Sequence, residues 1–162
     1  MTSINLETLL LQHCVDQLNA AYAAVLDEQR FDEWPLFFQT DGRYKVQSRE
    51  NHARGFPLGL MDLESRGMMN DRIYGVTQTI YHAPYYTRHV LSPARIVSLQ
   101  GEAITAETNY AVFRTRPAGV SEVFSVGRYL DVIHNLDGRL MFKSRLCVYD
   151  SEMVLNSLIY PI

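Results

Sequence analysis

Residues 121–150, "SEVFSVGRYLDVIHNLDGRLMFKSRLCVYD", carry the pattern that decides the fold. Val, Ile, Tyr and Phe recur on both sides of the turn signal "NLDG", with stretches of period two. One side of the first half comprises Val123, Ser125, Gly127 and Tyr129. Because a short Asn-Gly or Asp-Gly connection joins antiparallel neighbours, the stretch predicts two long antiparallel strands, at residues 121–134 and 139–150.

Two more segments of the same composition precede this pair, at residues 86–100 and 102–116. The turn signals "LQGE" and "RPAG" separate them from each other and from the strand at 121–134. Parallel strands need long crossover connections, whereas these connections are short. The second half of the chain is therefore predicted to be an antiparallel meander.

The first half is predicted to be mainly helical. Apolar residues spaced near 3.6 predict a long amphipathic helix over residues 5–26. A short helix capped by Asp32 is expected next, then a turn at Asp41-Gly42 and a strand that buries Tyr44 and Val46. Residues 50–60 are typical of a loop, and a helix capped by Asp62 is expected over residues 62–76.

Helices followed by a meander predict an α+β fold, in which a curved antiparallel sheet closes over the N-terminal helices. At 162 residues, the chain is expected to form one domain, residues 1–162. The concave side of such a sheet is either a ligand pocket or a space filled by side chains. The sequence leaves this choice open.

Composition excludes several classes of function. The net charge of −3 does not favour nucleic acid as a partner, and no apolar run is long enough to span a membrane. The first residues lack the features of a signal peptide, so we expect a cytoplasmic protein. Cys14 and Cys147 form no metal-binding pattern and are expected to be reduced, largely buried thiols.

The densest group of chemically active residue types is "YHAPYYTRH" at residues 81–89. His82 and His89 lie seven positions apart, without the spacing that places two metal ligands on one face. Acid–base chemistry by a histidine and a tyrosine in a sheet pocket remains an alternative. No nucleophile or phosphate-binding motif is present, and the apolar end, residues 151–162, is expected either in the core or at a subunit interface.

An ordered series of segments resembles the small (beta) subunit of bacterial aromatic-ring-hydroxylating, Rieske non-haem iron oxygenases. The series comprises "RFDEWPLFFQTDGRYKV", "LESRGMMNDRIYGV", "YYTRHVLSPARI", "EVFSVGRYLDVI" and "GRLMFKSRLCVYDSEMV". Its more specific parts are the pairing of "DRI" at 71–73 with "TRH" at 87–89, and "GRYLD" followed by "SRLCVYD". The short lead before the first helix is similar to subunits of oxygenases that act on aromatic carboxylates such as terephthalate or salicylate.

The resemblance implies a cone-shaped α+β fold like that of nuclear transport factor 2 (cystatin-like), and a non-catalytic, structural subunit in aromatic catabolism. It implies no cofactor, metal ligand or catalytic residue in this chain. The Rieske [2Fe-2S] cluster and the mononuclear iron would belong to a large (alpha) subunit, on which ferredoxin and reductase act. Three large and three small chains would form the hetero-oligomer, and the outcome could be dioxygenation or monooxygenation.

The resemblance also assigns structural roles to Asp71, Arg72, Arg88 and His89. Tyr and Arg are enriched at protein interfaces, so the candidate contact surface comprises Tyr85, Tyr86, Arg88, His89, Leu158 and Tyr160. Two alternatives stay open at this point. The chain could be a free-standing isomerase or dehydratase with a pocket, or a small-molecule binding module of the same fold.

Overall fold

A long helix packed against a seven-stranded sheet dominates the computed structural model, which describes residues 5–151 and 158–162. The helix, α1, spans Leu6–Asp27, and the side chain of its N-cap residue Asn5 accepts a hydrogen bond from the Glu7 amide at 3.0 Å. This bond satisfies one of the amide donors that a helix leaves unpaired at its start. The helix predicted over residues 5–26 is confirmed.

The segments after α1 alternate short helices with the first two strands. They are a 3₁₀ helix at Phe31–Phe37, β1 at Phe38–Ser48, α2 at Arg49–Ala53, β2 at Met61–Leu63, α3 at Arg66–Tyr74 and a π-helical turn at Gly75–Thr79. Two predicted caps are wrong. Arg30 precedes the 3₁₀ helix without a side-chain cap, and Ser65 caps α3. Asp62 instead lies in β2, where its carboxylate accepts hydrogen bonds from Arg43.

The remaining strands are longer. They are β3 at Tyr86–Leu91, β4 at Arg95–Gln100, β5 at Ala103–Thr115, β6 at Ser121–Leu136 and β7 at Arg139–Tyr149. The strand predicted over residues 86–100 is thus two strands, because Pro93 lacks the amide that a continuous ladder needs. The antiparallel order β5–β6–β7 is confirmed.

The sheet has the strand order β2-β1-β7-β6-β5-β3, with β4 also paired to β5. It is mixed, because β1 runs parallel to β7, which corrects the prediction of a purely antiparallel sheet. The two strands lie far apart in the chain, so no tight turn constrains their relative direction. Asp41 and Gly42 form an irregularity in the register inside β1, between Phe38 and Arg43, rather than the expected turn.

Aromatic side chains fill the space between α1 and the sheet. The largest fully buried ones are Tyr22, Trp34, Phe38, Tyr44, Tyr129 and Phe142. Tyr44 and Val46 are both buried, as predicted, and Leu18 packs against the core while staying partly exposed. No helix in the described part of the chain is long and apolar enough to cross a membrane.

Candidate functional site

The most strongly charged feature of the interior is an ion pair between Asp131 on β6 and Arg145 on β7. These residues are direct cross-strand partners on the buried face of the sheet. Arg145 Nε donates to Asp131 Oδ1 at 2.9 Å, and Nη2 donates to Oδ2 at 2.7 Å. Nη2 also donates to the side-chain oxygen of Asn19 on α1, and Asn19 in turn donates to Thr108 at 3.0 Å. The network joins the helix to three strands.

The Arg145 guanidinium lies between aromatic rings. Its central carbon is 4.2 Å from the ring centre of Tyr22, and 4.0 Å from those of Tyr129 and Phe142. Burial disfavours the charged form of Arg145, but Asp131 more than offsets this, so the Arg145 pKa is raised. Burial raises the pKa of Asp131, against the opposing effect of Arg145. With the bidentate contact in place, Arg145 is a charged structural group rather than a proton carrier.

The end of the described chain enters the same interior. The main-chain oxygen of Ile162 accepts hydrogen bonds from the hydroxyls of Tyr22, at 2.9 Å, and Tyr44, at 3.0 Å. The Ile162 amide donates back to the Tyr44 hydroxyl at 2.9 Å, and the Cys147 thiol lies 3.5 Å from the same oxygen. Burial raises the pKa of both tyrosines and lifts that of Cys147 to about 12. These groups stay neutral at physiological pH and act as hydrogen-bonding partners for Ile162.

Residues 158–160 are fixed from the other side. Arg72 Nη2 donates to the carbonyls of Leu158 and Ile159, both at 2.8 Å. The Tyr160 ring packs against that of Tyr85 at a tilt of 33°, with ring centres 4.4 Å apart, and the Tyr160 hydroxyl lies 2.8 Å from His82 Nε2. Residues 160–162 are therefore buried in the core, which is one of the two outcomes expected for the apolar end. Residues 152–157 of that segment lie outside the described residues.

A second polar pair lies where α1 crosses β3. Asp27 Oδ1 is 2.6 Å from His89 Nδ1, and Asp27 Oδ2 accepts a hydrogen bond from the His89 amide at 2.9 Å. The His89 side chain is fully buried, and its Nε2 has no hydrogen-bond partner among residues 5–151 and 158–162. The pair borders a groove of about 510 Å³ between α1 and β3, which Ala20, Ala23 and Arg88 also line. A carboxylate-oriented histidine beside a groove is an arrangement that suits acid–base chemistry.

The structure separates the residues predicted as contact surface into two groups. Along β3, Tyr86 and Arg88 are exposed, while His89 points inward, because successive side chains of a strand alternate between faces. Tyr85 and Tyr160 are buried against each other, and Leu158 is partly buried. Only Tyr86 and Arg88 therefore offer a largely exposed side chain to a partner, and their role in an interface stays a prediction.

Two expectations concern metal and thiol chemistry. Within residues 5–151 and 158–162, no three His, Cys, Asp or Glu side chains lie together in a way that could hold a metal ion. Cys147 is buried and Cys14 is exposed, so the prediction of two buried thiols holds only for Cys147.

Asp27, Asp131 and Arg145 were not predicted as a site. The period-two pattern that put Gly127 and Tyr129 on one side of the strand also puts Asp131 on that side, which is the signal that could have identified it.

Comparison with known proteins agrees with this architecture. The family model of the SnoaL-like domain matches residues 7–146. The beta 1 subunit of the terminal oxygenase component of terephthalate 1,2-dioxygenase from Comamonas is 33% identical over 144 residues, 89% of this chain and 94% of the relative. The small subunit of anthranilate 1,2-dioxygenase from Burkholderia cepacia is 30% identical, over 90% of each chain. A crystal structure assigned to the beta subunit of an aromatic-ring-hydroxylating dioxygenase from Novosphingobium aromaticivorans superposes with a TM-score of 0.88 at 33% identity, covering 96% of this chain and 99% of that one.

Proposed function

Because the chain belongs to the family of small (beta) subunits of aromatic-ring-hydroxylating dioxygenases, which have a SnoaL-like domain, we propose that it is the structural subunit of such a terminal oxygenase. Its relatives are subunits of oxidoreductases that act in aromatic catabolism. In this proposal, residues 1–162 form one domain, which binds and stabilises a large subunit in the cytoplasm. The large subunit carries out the hydroxylation.

Besides the family, the observation that carries the proposal is how the described residues occupy the space between α1 and the centre of the sheet. A free-standing enzyme of a cone-shaped fold needs a cavity between helix and sheet that receives its substrate. In this chain, Tyr22 and Tyr44 bind the main-chain oxygen of Ile162 instead, and the Tyr160 ring packs against Tyr85. Burial raises the pKa of each of these tyrosines, including that of Tyr85 to about 12, which makes them poor proton donors near neutral pH. Within the described residues, packed side chains and residues 160–162 thus occupy this part of the interior.

The finer parts of the proposal concern partner and substrate. The resemblance supports a large subunit that holds the Rieske [2Fe-2S] cluster and the mononuclear iron, receives electrons from ferredoxin and reductase, and forms a ring of three large and three small chains. Two of the relatives are parts of dioxygenases for terephthalate and anthranilate, which are both aromatic carboxylates. We therefore propose an aromatic carboxylate as the substrate of the assembled enzyme and dioxygenation as its reaction.

The Asp27–His89 pair favours a second candidate function, an isomerase or dehydratase that works without a partner. Asp27 holds His89 Nδ1 at 2.6 Å, which leaves Nε2 as the nitrogen that could exchange a proton. The same contacts have a structural use, because Asp27 also accepts the hydrogen bond of the His89 amide on β3. β3 is the last strand in the order β2-β1-β7-β6-β5-β3 and so lies at an edge of the sheet. Asp27 accepts the hydrogen bond of the His89 amide, which a strand of another chain could otherwise accept.

Co-expression tests the proposal directly. The chain is produced alone, and also together with a large subunit that is encoded by the neighbouring reading frame and carries the C-x-H and C-x-x-H pairs of a Rieske cluster. We expect the two chains to purify as one complex that contains iron and hydroxylates aromatic carboxylates with added ferredoxin and reductase. The small chain alone should show no iron and no turnover. A small chain that is active in isolation would contradict the proposal.

The variant His89→Ala tests whether His89 takes part in acid–base chemistry or has a structural role. A structural histidine predicts that the assembled, iron-loaded complex keeps its specific activity per large subunit within about twofold, since no proton passes through His89. Loss of general acid–base catalysis typically costs on the order of 100-fold or more. The matched control is His82→Ala, a part-buried histidine bound to Tyr160. A loss near 100-fold for His89→Ala alone would favour acid–base or proton-relay chemistry.

A further inference from the structure

The connection between α2 and β2 exposes three large apolar side chains. We call residues 54–60, "RGFPLGL", the anchored loop. Phe56 is 50% exposed, Leu58 73% and Leu60 44%. Single exposed apolar side chains are common on protein surfaces, but three large ones within five residues form a patch of the kind that marks interaction sites.

Hydrogen bonds from polar side chains fix the backbone of this loop. Gln47, which is buried in β1, donates through Nε2 to the carbonyls of Phe56 and Leu58, the latter at 3.2 Å. Asn51 Nδ2 donates to the same Leu58 carbonyl at 3.1 Å, and the Leu60 amide donates to the Val46 carbonyl at 2.8 Å. The carbonyls of the loop thus bind β1 and α2, while its large apolar side chains remain exposed.

Close packing restrains the loop further. A Cβ atom at Gly59 would lie 2.6 Å from the Val46 carbonyl oxygen, so only glycine allows the loop backbone to approach β1 this closely. Gly55, which opens the loop, has a φ of +68°, in the left-handed region that favours glycine. A loop held in this way presents Phe56 and Leu58 in one arrangement. Preorganisation of this kind lowers the entropic cost of binding a partner.

The charges around the loop are already paired within the chain. Arg54 binds Glu50 at 3.1 Å, and its guanidinium carbon lies 5.9 Å from the Phe56 ring centre. Lys45, which donates to the Pro57 carbonyl, also lies 3.5 Å from the carboxylate of Asp62. A partner that covers the loop need not supply a charged group to compensate these ions. The complementary surface is therefore an apolar pocket without charge.

We propose that the anchored loop docks the large oxygenase subunit, by inserting Phe56 and Leu58 into an uncharged apolar pocket on that subunit. This inference rests on the proposed function and adds to it the surface and the chemistry of the contact. A few residues that lie in well-packed, desolvated pockets near the centre of an interface carry most of its binding energy, and Phe56 and Leu58 would occupy such pockets. The pair Tyr86 and Arg88 on β3 would then be a separate contact or none.

The experiment compares assembly of three small-subunit variants with the co-expressed large subunit. Phe56→Asp/Leu58→Asp places two charges where the apolar pocket would receive the loop. Val120→Asp is the matched control, because Val120 is 88% exposed in the connection between β5 and β6. Gly59→Ala retains all three apolar side chains but displaces the loop backbone. Each isolated variant is first checked for wild-type circular dichroism and melting temperature, and assembly is then followed by size-exclusion chromatography with light scattering.

We expect Phe56→Asp/Leu58→Asp to weaken the affinity for the large subunit at least about tenfold, a loss typical of a removed apolar anchor. Val120→Asp should stay within about twofold of wild type, and Gly59→Ala should fall between the two. If wild type assembles and the double variant assembles equally well, the loop inference fails and the proposed function stands. If wild type binds no large subunit, both fail. Self-association of the isolated chain that the double variant abolishes would make a second copy the occupant and would overturn the inference.

Discussion

Removing one partner of the buried pair Asp131–Arg145 should destabilise the protein strongly, whereas removing both should not. Both side chains are 0% exposed, and two hydrogen bonds of 2.7 and 2.9 Å join them. Breaking a buried ion pair from one side typically costs about 3–5 kcal/mol, because the remaining charge loses its partner in a medium of low polarity. We therefore expect Asp131→Ala to lower the free energy of unfolding by about 3–5 kcal/mol.

The double variant Asp131→Leu/Arg145→Met provides the contrast. Replacing a whole buried pair by apolar groups of similar volume is often close to neutral. The Met side chain can retain contacts with the rings of Tyr22, Tyr129 and Phe142 that now surround the guanidinium. We expect this variant to lie within about 2 kcal/mol of wild type. The difference between the single and double variants measures the coupling of the two charges.

Arg145→Met alone adds a dependence on pH. Burial already raises the pKa of Asp131, and removing the opposing charge of Arg145 raises it further. An acid whose pKa is higher in the folded than in the unfolded state favours folding when it is protonated. The folded variant binds this proton more tightly than the unfolded chain. Its free energy of unfolding therefore falls as the pH rises from the pKa of Asp131 in the unfolded chain through the higher pKa in the folded protein. The cost of Arg145→Met should thus be larger at pH 8 than at pH 5.

Urea unfolding measures all three variants, with the fluorescence of Trp34 as the signal. Trp34 is the only tryptophan of the chain and is fully buried, so unfolding exposes it to water. Parallel unfolding curves by circular dichroism test whether the transition is two-state. A cost below about 1 kcal/mol for Asp131→Ala, with unchanged structure, would refute the view that this pair is a charged part of the core.

Further predictions concern thiols and packing. Cys14 is exposed and Cys147 is buried with a pKa raised to about 12, so Ellman's reagent at pH 8 should titrate about one thiol in the native protein and both after denaturation. Rapid reaction of both native thiols would contradict the buried position of Cys147. Tyr22→Ala should cost about 3–5 kcal/mol in urea unfolding, since the fully buried ring packs on Phe142 and binds Ile162. Leu18→Ala should cost less, about 1–2 kcal/mol, because that side chain is only partly buried. Equal costs at Leu18 and Tyr22 would contradict the orientation of α1 that buries Tyr22 more deeply than Leu18.

Local patterns in the sequence were sufficient for several elements. The helix at Leu6–Asp27 follows from apolar spacing, and the β6–β7 hairpin follows from alternation on either side of "NLDG". These predictions succeeded because each depends on contacts between residues close in the chain. Asp62 shows the limit of such reasoning. Asp is a good helix cap in general, but Asp62 pairs with Arg43 on the neighbouring strand, a contact that no local pattern contains.

The resemblance of ordered segments identified the family, while the contacts of the candidate sites depend on tertiary structure. Asp27 and His89 are 62 residues apart, and Asn19 and Arg145 are 126 apart. The sequence did not predict which of Tyr85, Tyr86, Arg88 and His89 would be exposed. Side chains along β3 alternate between the two faces of the sheet, and a shift of one residue in the pairing of the strand would exchange the buried and exposed sets.

By itself, the sequence determined the family, the α+β class, the long first helix and the antiparallel hairpins, all of which rest on local periodicity or on ordered motifs. Tertiary structure alone decided that β1 runs parallel to β7 and that residues 160–162 fill the interior. It also decided that Gln47 and Gly59 hold an apolar loop outward. Each of these outcomes depends on contacts between residues that are distant in the chain. Such contacts pair hydrogen-bonding groups and bury apolar surface only when the whole chain has packed.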